Sequence, residues 1–568
     1  MTRRHRAKWL SAGALVLGVA LVAAGCGGGG SKNNAAAGST AASSTAQSSG
    51  GGTTAKTFAN LRTVFDTGID FLDPGLSYTQ QGWQIMWNVY LPLIGYKHTS
   101  GPDGATIVPY LARELPKVSA DGKTYTMTLR KGLKYSDGSP VKASDFPATI
   151  ERDFKLDSPG VGFFANIVGA DAFSKTKKGH ISGIVTDNAA GTITIKLVAP
   201  QGDFVNILAT EFAAPVPAKT PAKDQSTTPA PSTGPYMIQS FKPNKGGVLV
   251  RNPKFDDSLL GGNVPKGNPD KITIDVVSDP TIALQRVING QDDWNYHQPP
   301  PDRLGTIQSK YANQYKTYIP ANLYYFFMNV REKPFNDPNV RKAVNYGIDR
   351  AALVRIYGGL GTPTENVMPP TYPQYKKLNL YPYNLAKAKQ LIKACNCATT
   401  PIVIWNHDRD IDPKATAYLA DQLGKMGFTN VKQKIVNAAV YWTTIGNQAT
   451  RAQIGFADWF QDYPHPLDWF DVLLNGKRIT QTHNNNYANA NFPAINNQID
   501  KLKKEPLLNS KINAEWAQVD KQVDQNAPWA PFLNRQFIDF FNSDMDLTGS
   551  CYTNHVLYTF DFALACHK

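Results

Sequence analysis

Alternating apolar and polar residues mark three short segments in the first half of the chain. Residues 124–130, 192–198 and 271–277 place apolar side chains at every second position, as in TYTMTLR and TITIKLV. Because successive strand residues point to opposite faces, this alternation predicts half-buried strands of an antiparallel or mixed sheet. The first part of the body is therefore predicted to be mostly β.

Helical periodicity is stronger in the second half of the chain. An aspartate followed by proline, the pattern of an N-cap and a first-turn proline, occurs at Asp279, Asp337 and Asp412. Apolar residues follow at three- and four-residue spacing, and further helices are predicted after Asn384 and through Trp516. The residues near the C-terminus again resemble strands. The pattern predicts an α/β protein with a β-rich insertion early in the chain.

Composition and charge exclude several classes of protein. With 568 residues and 42% apolar residues, the chain can bury a sizeable core. Beyond the N-terminus no apolar run reaches the ~18 residues of a membrane span, which excludes a polytopic membrane protein. The net charge is +14, but Arg3, Arg4, Arg6 and Lys8 supply part of it and the other basic residues are scattered. We therefore expect no nucleic-acid partner.

The N-terminus has the organisation of an export signal. Residues 1–25 contain a cationic start and an apolar stretch, and small residues precede Cys26, which resembles a bacterial lipobox. Residues 26–56 are rich in Gly, Ser and Ala and predict a flexible tether. We expect diacylation of Cys26 and anchoring to the outer face of the cytoplasmic membrane. The alternative is an uncleaved anchor helix that ends near a chance cysteine.

The remaining cysteines suit an exported protein, in which disulfides are permitted. Cys551 and Cys566 flank a strand-like run at residues 555–564 and are a candidate disulfide. Cys395 and Cys397 are too close for an ordinary bridge, and their pairing stays open. Because no second Cys/His pair has the spacing of zinc ligands, we expect no metal site.

Catalytic motifs are missing from the sequence. It contains no His-Glu-x-x-His, Gly-x-Ser-x-Gly, Gly-x-x-x-x-Gly-Lys or Gly-x-Gly-x-x-Gly pattern. Ser174 and Lys177 have the Ser-x-x-Lys spacing, but the partner motifs of penicillin-recognising enzymes are absent. We therefore predict no catalytic residues and no cofactor, and a secreted hydrolase remains the alternative.

Four stretches in the body carry a family resemblance. They contain DGSPVKASDF, STGPYMI, PNVRKAVNYGIDR and WFQDYPHP, and they span residues 109–146, 232–256, 326–350 and 454–474. In this order they resemble the peptide/nickel class of extracellular solute-binding proteins, family 5, which serve ATP-binding-cassette importers. The resemblance covers the chain from about residue 57 to its end.

The resemblance implies a two-lobed, periplasmic-binding-protein-like fold of type II, with a hinge and an extra subdomain in the first lobe. The first lobe is expected at residues 57–318, with the β-rich subdomain at about 99–232. The second lobe is expected at 319–529, and residues 530–568 return to the first lobe.

The resemblance also implies the function. A monomeric surface lipoprotein would capture oligopeptides or dipeptides between its lobes and deliver them to the permease and ATPase subunits of an importer. Other ligands of the same fold are a nickel chelate, a haem, an oligosaccharide or a signalling peptide. A receptor that senses its ligand without transport is a further alternative.

Three ligand-binding residues follow from the same resemblance. Asp462 matches the family aspartate that receives the α-ammonium group of the peptide, and Trp459 matches a tryptophan that helps to wall the pocket. Tyr78 is a weaker candidate for the wall. The alternative interpretation is that Asp462 caps a turn before Pro464 while Trp459 fills the core.

Overall fold

The computed structural model covers the part of the chain that follows the predicted tether. It describes residues 57–409, 411–505, 508–558 and 560–568. The predicted signal peptide, the lipidation site Cys26 and the predicted tether lie outside the described residues. In the part that is described, no helix combines the length and the apolar character that a bilayer span requires.

Strands and helices alternate through most of the described residues. The strands are β1 (Leu61–Phe65), β2 (Ile94–Tyr96), β3 (Ile107–Pro109), β4 (Lys117–Val118), β5 (Thr124–Thr128), β6 (Ile184–Asp187), β7 (Thr192–Lys196), β8 (Tyr236–Lys242), β9 (Gly246–Arg251), β10 (Lys271–Val276), β11 (Trp294–Asn295), β12 (Tyr315–Tyr318), β13 (Asn322–Met328), β14 (Gly361–Pro363), β15 (Ile402–His407), β16 (Val431–Val436), β17 (Ile454–Phe460), β18 (Trp529–Arg535), β19 (Phe537–Phe541), β20 (Met545–Asp546) and β21 (Cys566–His567). The helices are α1 (Gln80–Met86), α2 (Asp145–Leu156), α3 (Val161–Phe164), α4 (Ala170–Thr176), α5 (Phe204–Ile207), α6 (Pro280–Ile288), α7 (Leu304–Lys310), α8 (Pro338–Gly347), α9 (Arg350–Ile356), α10 (Leu385–Cys395), α11 (Asp412–Met426), α12 (Ala438–Ile445), α13 (Pro466–Leu474), α14 (Pro493–Leu502) and α15 (Ser510–Asn526).

The first lobe is built on a mixed sheet with the order β12-β19-β11-β1-β10-β9-β8. The central strand β1 pairs in parallel with both β10 and β11, whereas β10 pairs with β9 in antiparallel fashion. Inward-facing residues such as Leu61, Phe65 and Ile272 are completely buried in the largest core cluster. The strand predicted at residues 271–277 is thus confirmed, in a mixed sheet.

The second lobe is built on a sheet with the order β14-β18-β13-β17-β15-β16. Its strand β13 has the continuous apolar sequence NLYYFFM and is buried along its whole length. Tyr325 and Phe327 face one core cluster, while Tyr324 and Phe326 face another. A strand with apolar residues on both faces belongs in the middle of a covered sheet, and β13 lies there.

The chain crosses between the two lobes at two neighbouring places. One crossing joins β12 to β13, and the other, at Gln536, joins β18 to β19. Asn322 holds the two crossings together, because its Nδ2 donates 2.9 Å hydrogen bonds to the carbonyl oxygens of Pro320 and Arg535. The return expected at residue 530 falls inside β18, which is still a strand of the second sheet.

A small subdomain of the first lobe contains the antiparallel sheet β4-β5-β7-β6. Tyr125 and Ile195 of adjacent strands face each other in its core, as the alternation predicts. Helix α2 covers this region with Phe146, Ile150 and Phe154, which are buried and spaced by four residues. The prediction that this part is mostly β is therefore wrong, because α1 to α5 all lie before β8.

Most predicted helix starts agree with the structure. Asp279 and Asp337 are N-caps whose carboxylates accept hydrogen bonds from the backbone two residues further along, and Asn384 caps α10. Asp412, in contrast, is the first residue of α11, and Ile411 takes the N-cap position. The Asp412 carboxylate instead accepts a 2.5 Å hydrogen bond from the hydroxyl of Tyr357, which replaces the capping interaction.

The C-terminal segment packs on the first lobe and contains a disulfide between Cys551 and Cys566. Cys395 and Cys397 are also bonded to each other, at the end of α10. The strand expected at residues 555–564 is wrong in its described part, where turns and a 3₁₀ helix at Phe562–Leu564 replace it. Burial of this segment comes from aromatic packing, for example of Phe560 and Phe562 on Trp294.

Candidate binding site between the lobes

A cavity of about 270 Å³ lies between the two lobes. The first lobe contributes the segment from the end of β1 to α1, the residues after β11 and part of the C-terminal segment. The second lobe contributes the end of β17, residues of α12 and Arg409, which lies two positions after β15. Both lobes thus supply walls of one enclosed space.

The lobes contact each other directly around this cavity. The hydroxyl of Tyr463 donates to Asp203 at 2.8 Å, and the amide of Gln461 donates to the carbonyl oxygen of Val556 at 3.0 Å. Farther out, the guanidinium of Arg478 donates to the carbonyl oxygen of Gly162 at 2.6 Å. These contacts hold the lobes in a closed arrangement.

Asp462 lies on the cavity wall, just after β17, and is only 8% exposed. The hydroxyl of Tyr78, from the opposite lobe, donates a 2.6 Å hydrogen bond to Oδ2 of Asp462. Tyr78 is itself positioned by its backbone N–H, which donates to Asp70 at 2.7 Å. Burial raises the pKa of Asp462 to about 7, against the lowering effect of the Tyr78 hydrogen bond.

A second carboxyl group, that of Asp468, lies behind Asp462 and is completely buried in the first turn of α13. Its Oδ2 accepts hydrogen bonds from the indole N–H of Trp459 at 3.2 Å and from the backbone N–H of Asp462 at 3.1 Å. Burial, together with the neighbouring charge of Asp462, raises the pKa of Asp468 well above its ordinary value. Burial therefore disfavours the ionised form of Asp468, and its Oδ2 orients both neighbours.

The structure brings the three predicted ligand-binding residues together. The rings of Tyr78 and Trp459 meet edge to face at 5.9 Å, and both residues line the cavity beside Asp462. Helix α13 is capped by His465, whose Nδ1 accepts from the backbone of Leu467, and not by Asp462. The Asp462 carboxylate instead accepts a hydrogen bond from Tyr78 across the cavity, and its role toward a ligand stays a prediction.

A group of charged residues that the sequence analysis did not identify lies on the same walls. The Arg409 guanidinium lies between Asp66 of the first lobe and Asp458 of the second. Its Nη2 is 3.2 Å from Asp458 Oδ2, and its Nε is 3.8 Å from Asp66 Oδ2. All three side chains are at most 16% exposed. The sequence offered one indication of this group, because Asp66 directly follows the strand β1 and Arg409 comes shortly after the strand β15.

Neither metal ligands nor a catalytic constellation stand out in the cavity. Across the described ranges, no three His, Cys, Asp or Glu residues form a group that could hold a metal ion. His297 and His483 line the cavity, and His297 is occupied by a 2.6 Å contact with the carbonyl oxygen of Val277. The arrangement can enclose a small polar ligand and meet a positive charge with carboxylates.

Comparison with known proteins agrees with this arrangement. Residues 106–481 match the family model described as bacterial extracellular solute-binding proteins, family 5 Middle. A glutathione-binding protein GsiB from Salmonella choleraesuis (strain SC-B67) is 30% identical over 346 residues. That alignment covers 58% of this chain and 62% of the relative, so the chain matches less than two thirds of that protein.

Solved structures establish the fold. The clavulanic acid biosynthesis oligopeptide binding protein 2 superposes with a TM-score of 0.77 at 24% identity, covering 90% of this chain and 95% of that one. The periplasmic binding protein DppA from Helicobacter pylori, in complex with the peptide STSA, gives 0.77 at 20% identity, covering 90% and 99%. The two-lobed type II fold expected from the sequence is confirmed.

Proposed function

Because the chain belongs to the bacterial extracellular solute-binding proteins of family 5, we propose that it binds a short peptide between its lobes. The observation that supports this proposal best is the buried Asp462 carboxyl group in the cavity wall, contacted across the cleft by Tyr78. The cavity, at about 270 Å³, is near the lower end of small-molecule pockets, which favours a short ligand.

The proposed role of Asp462 is to receive the α-ammonium group of the peptide. A buried ammonium group is strongly unfavourable unless a carboxylate pairs with it. Asp462 is buried, lies at the boundary of both lobes and has a hydrogen-bonding partner in the opposite one. In the same proposal, Trp459 and Tyr78 form the wall beside the N-terminal residue of the ligand.

We further propose that the protein delivers its ligand to the permease and ATPase subunits of an ATP-binding-cassette importer. Binding without catalysis is the activity that the family membership supports. The protein would act as a monomer outside the cytoplasm, anchored by a lipid on Cys26. Its surface location and its lipid rest on the sequence of the N-terminal segment alone.

Peptides with a free or an acetylated N-terminus test the role of Asp462 directly. Acetylation removes the charge of the ammonium group, so affinity measured by calorimetry should fall for the wild-type protein. Asp462→Asn should weaken binding of the free peptide by two to three decades, because breaking a buried charge pair costs about 3–5 kcal/mol. The mutant should discriminate little between the two peptides.

Asp171→Asn is the matched control, since Asp171 lies in α4 with an exposed side chain and makes an i,i+4 ion pair. It removes one carboxylate, as Asp462→Asn does, but at a residue that does not line the cavity, so affinity should not change. If free and acetylated peptides bind the wild-type protein equally well, Asp462 does not hold an N-terminus and the peptide proposal is wrong.

The lipid anchor has its own test, which is independent of the ligand. Cys26→Ser should yield a product that fractionates with soluble proteins or retains its signal peptide. Membrane fractionation with mass spectrometry of the N-terminus distinguishes these states. A Cys26→Ser protein that is cleaved and still as tightly membrane-bound as the wild type would contradict the lipoprotein proposal.

A further inference from the structure

The charges on one part of the cavity wall are balanced within the protein. Asp66 and Asp458 face the Arg409 guanidinium at 3.8 and 3.2 Å. Arg535 also lines the cavity, where its guanidinium lies over the ring of Tyr324. Although burial raises the pKa of Asp458, the charges of Arg409 and Arg535 oppose this shift. A ligand side chain therefore need not bring a charge to this part of the wall.

Asp70, a further carboxyl group of the lining, is engaged by hydrogen bonds from its own segment. It accepts from the backbone N–H groups of Phe71 and Tyr78, both at 2.7 Å, and from the hydroxyls of Ser77 at 2.8 Å and Thr79 at 2.9 Å. A carboxylate with four donors has little capacity left for a ligand. Among the aspartates of the described lining, this leaves the one proposed above for the ammonium group.

A different part of the wall is apolar and lies on helix α12 of the second lobe. Ala438, Ala439 and Trp442 line the cavity, and the ring of Trp442 stacks on that of Tyr487 with 6.0 Å between the centroids. We call these four residues, Ala438, Ala439, Trp442 and Tyr487, the α12 pocket. Because an alanine side chain is a single methyl group, the helix leaves room beside Trp442 for a larger group of the ligand.

The polar groups next to the α12 pocket have other partners. The hydroxyl of Thr443, which also lines the cavity, donates to the carbonyl oxygen of Val440 at 3.0 Å. His483 is exposed, so solvent can satisfy its ring nitrogens. An apolar group that enters the pocket therefore does not leave Thr443 or His483 buried without a hydrogen-bonding partner.

The α12 pocket adjoins the site proposed for the ammonium group. Burial and Asp462 raise the pKa of Tyr78, and Tyr487 adds to this shift, so Tyr487 lies near Tyr78. The Tyr78 ring, in turn, meets Trp459 edge to face. A peptide whose ammonium group is held at Asp462 would therefore have its first residues beside the pocket.

We infer that the α12 pocket binds a bulky apolar side chain, aliphatic or aromatic, of one of the first two residues of the peptide. This inference rests on the proposed peptide-binding function and adds to it a preference among peptides. Successive side chains of an extended chain point to opposite sides, so one of two consecutive residues faces helix α12. A charged side chain in the pocket would lose water without gaining a partner.

The size of the preference follows from the apolar surface that the ligand buries. Each methylene group removed from water strengthens binding about fourfold. Leucine has three more carbon atoms than alanine, so full burial would give about 50-fold tighter binding, and we expect at least about tenfold. Glutamine is similar in size but has a polar end, so it should gain less than about threefold over alanine.

A panel of tripeptides tests this inference on the wild-type protein. Leucine, phenylalanine, glutamine, lysine or alanine occupies the first or the second position, with alanine elsewhere, and calorimetry gives each Kd. At one of the two positions, leucine or phenylalanine should bind at least about tenfold tighter than alanine. Lysine at that position should bind more weakly than leucine.

Ala439→Leu then assigns the preference to the α12 pocket, because the new side chain fills the space that the ligand would occupy. The ratio of leucine-peptide to alanine-peptide affinity should fall below about threefold, and the alanine peptide reports whether the cleft still binds. Ala439→Val should give an intermediate ratio, and such a graded loss is not expected from poor folding. Val440→Leu is the matched control, since Val440 is the next residue of α12, is 51% exposed and does not line the cavity. It should leave the ratio unchanged.

The outcomes separate this inference from the proposed function. If peptides bind but leucine and phenylalanine give no advantage over alanine at either position, the α12 pocket does not select apolar side chains. Glutamine or lysine that binds as tightly as leucine also overturns the inference, as does a leucine preference that persists in Ala439→Leu. If no peptide binds the wild-type protein, the proposed function is wrong and the inference is wrong with it.

Discussion

Peptide affinity should fall about 100-fold between pH 7.5 and pH 5, because Asp462 must be ionised to receive an ammonium group. Burial raises the pKa of this carboxyl group to about 7 in the ligand-free protein. Tyr78 donates to Asp462, and Asp468, whose pKa is also raised by burial, lies behind it. Below pH 7 the binding-competent, ionised state thus becomes a minor state.

The size of the effect follows from the ionised fraction. With a pKa of about 7, roughly a tenth of the Asp462 groups are ionised at pH 6 and roughly a hundredth at pH 5. Apparent affinity falls in proportion, by about 1.4 kcal/mol for each pH unit. Above pH 8 the peptide loses its own ammonium proton, since α-amino groups titrate near 7.7–8.0. The profile should therefore be bell-shaped, with its maximum near pH 7.5.

Isothermal titration calorimetry in buffers of different ionisation enthalpy measures both the affinity and the protons exchanged. Near pH 6 the wild-type protein should release close to one proton for each peptide bound, because the ligand displaces the proton of Asp462. Asp462→Asn should bind the peptide weakly, and its affinity should not fall further at low pH. Asp468→Asn should keep the fall of affinity at low pH, since Asp462 is unchanged and the new amide oxygen can still accept from Trp459.

Two results would refute this reasoning. A constant affinity between pH 5 and pH 7 would mean that Asp462 is already ionised in the empty site or does not meet the ligand. An acid limb that disappears in Asp468→Asn but persists in Asp462→Asn would assign the titrating group to Asp468 instead. Circular dichroism across the same pH range is needed to exclude acid unfolding as the cause.

Three further predictions concern the ligand-free protein. Asp462→Asn should raise the melting temperature at pH 8 but not at pH 4. The pKa of Asp462 is raised from its ordinary value, 3.8, to about 7, so the free energy of unfolding of the wild-type protein falls by up to about 4 kcal/mol as the pH rises through this range. Replacing Cys551 and Cys566 together by serine should cost about 3 kcal/mol, as expected for a loop of 15 residues, measured by chemical denaturation. Arg152→Met should destabilise the first lobe by about 3–5 kcal/mol in the same assay, since it leaves the completely buried Asp73 without its ion-pair partner.

Two of the three predicted site residues could be nominated from the sequence because they lie in a recognisable stretch. Trp459 and Asp462 belong to WFQDYPHP, whereas Tyr78 was the weaker candidate and is 384 residues away from its hydrogen-bonding partner. A local sequence pattern cannot predict that residues so far apart in the chain lie close together in space. Their juxtaposition was expected only from the resemblance, and the structure supplies the hydrogen bonds that orient them.

The charged cluster of Asp66, Arg409 and Asp458 could not be predicted from the sequence for a physical reason. Asp66 follows β1 and Arg409 follows β15, and residues that follow strands gather at the cleft edge of an α/β sheet. That rule needs the strand order, which the sequence does not contain. Asp458 is a polar residue within the buried strand β17, and its partner is found only when β15 and β17 are known to be neighbours.

Helix α2, which the sequence analysis did not predict, has a clear helical pattern in its sequence. Phe146, Ile150 and Phe154 recur every four residues, and Pro147 stands in the first turn, where proline is tolerated. The strands on both sides of this segment dominated the interpretation of the region. The local pattern is therefore enough to predict α2, whereas the charged cluster of Asp66, Arg409 and Asp458 depends on the tertiary structure.

In the ligand-free protein, the cost of burying the cavity carboxyl groups is offset in two different ways, and ligand binding should distinguish them. At Asp462 the compensation is a proton, which an incoming ammonium group displaces, so binding there is linked to pH. At Asp66 and Asp458 the compensation is the Arg409 guanidinium, and the charge of Arg535 also acts on Asp458. Peptide binding should therefore release the one proton of Asp462 near pH 6. A larger number of protons released would mean that Asp66 or Asp458 also holds a proton that the ligand displaces.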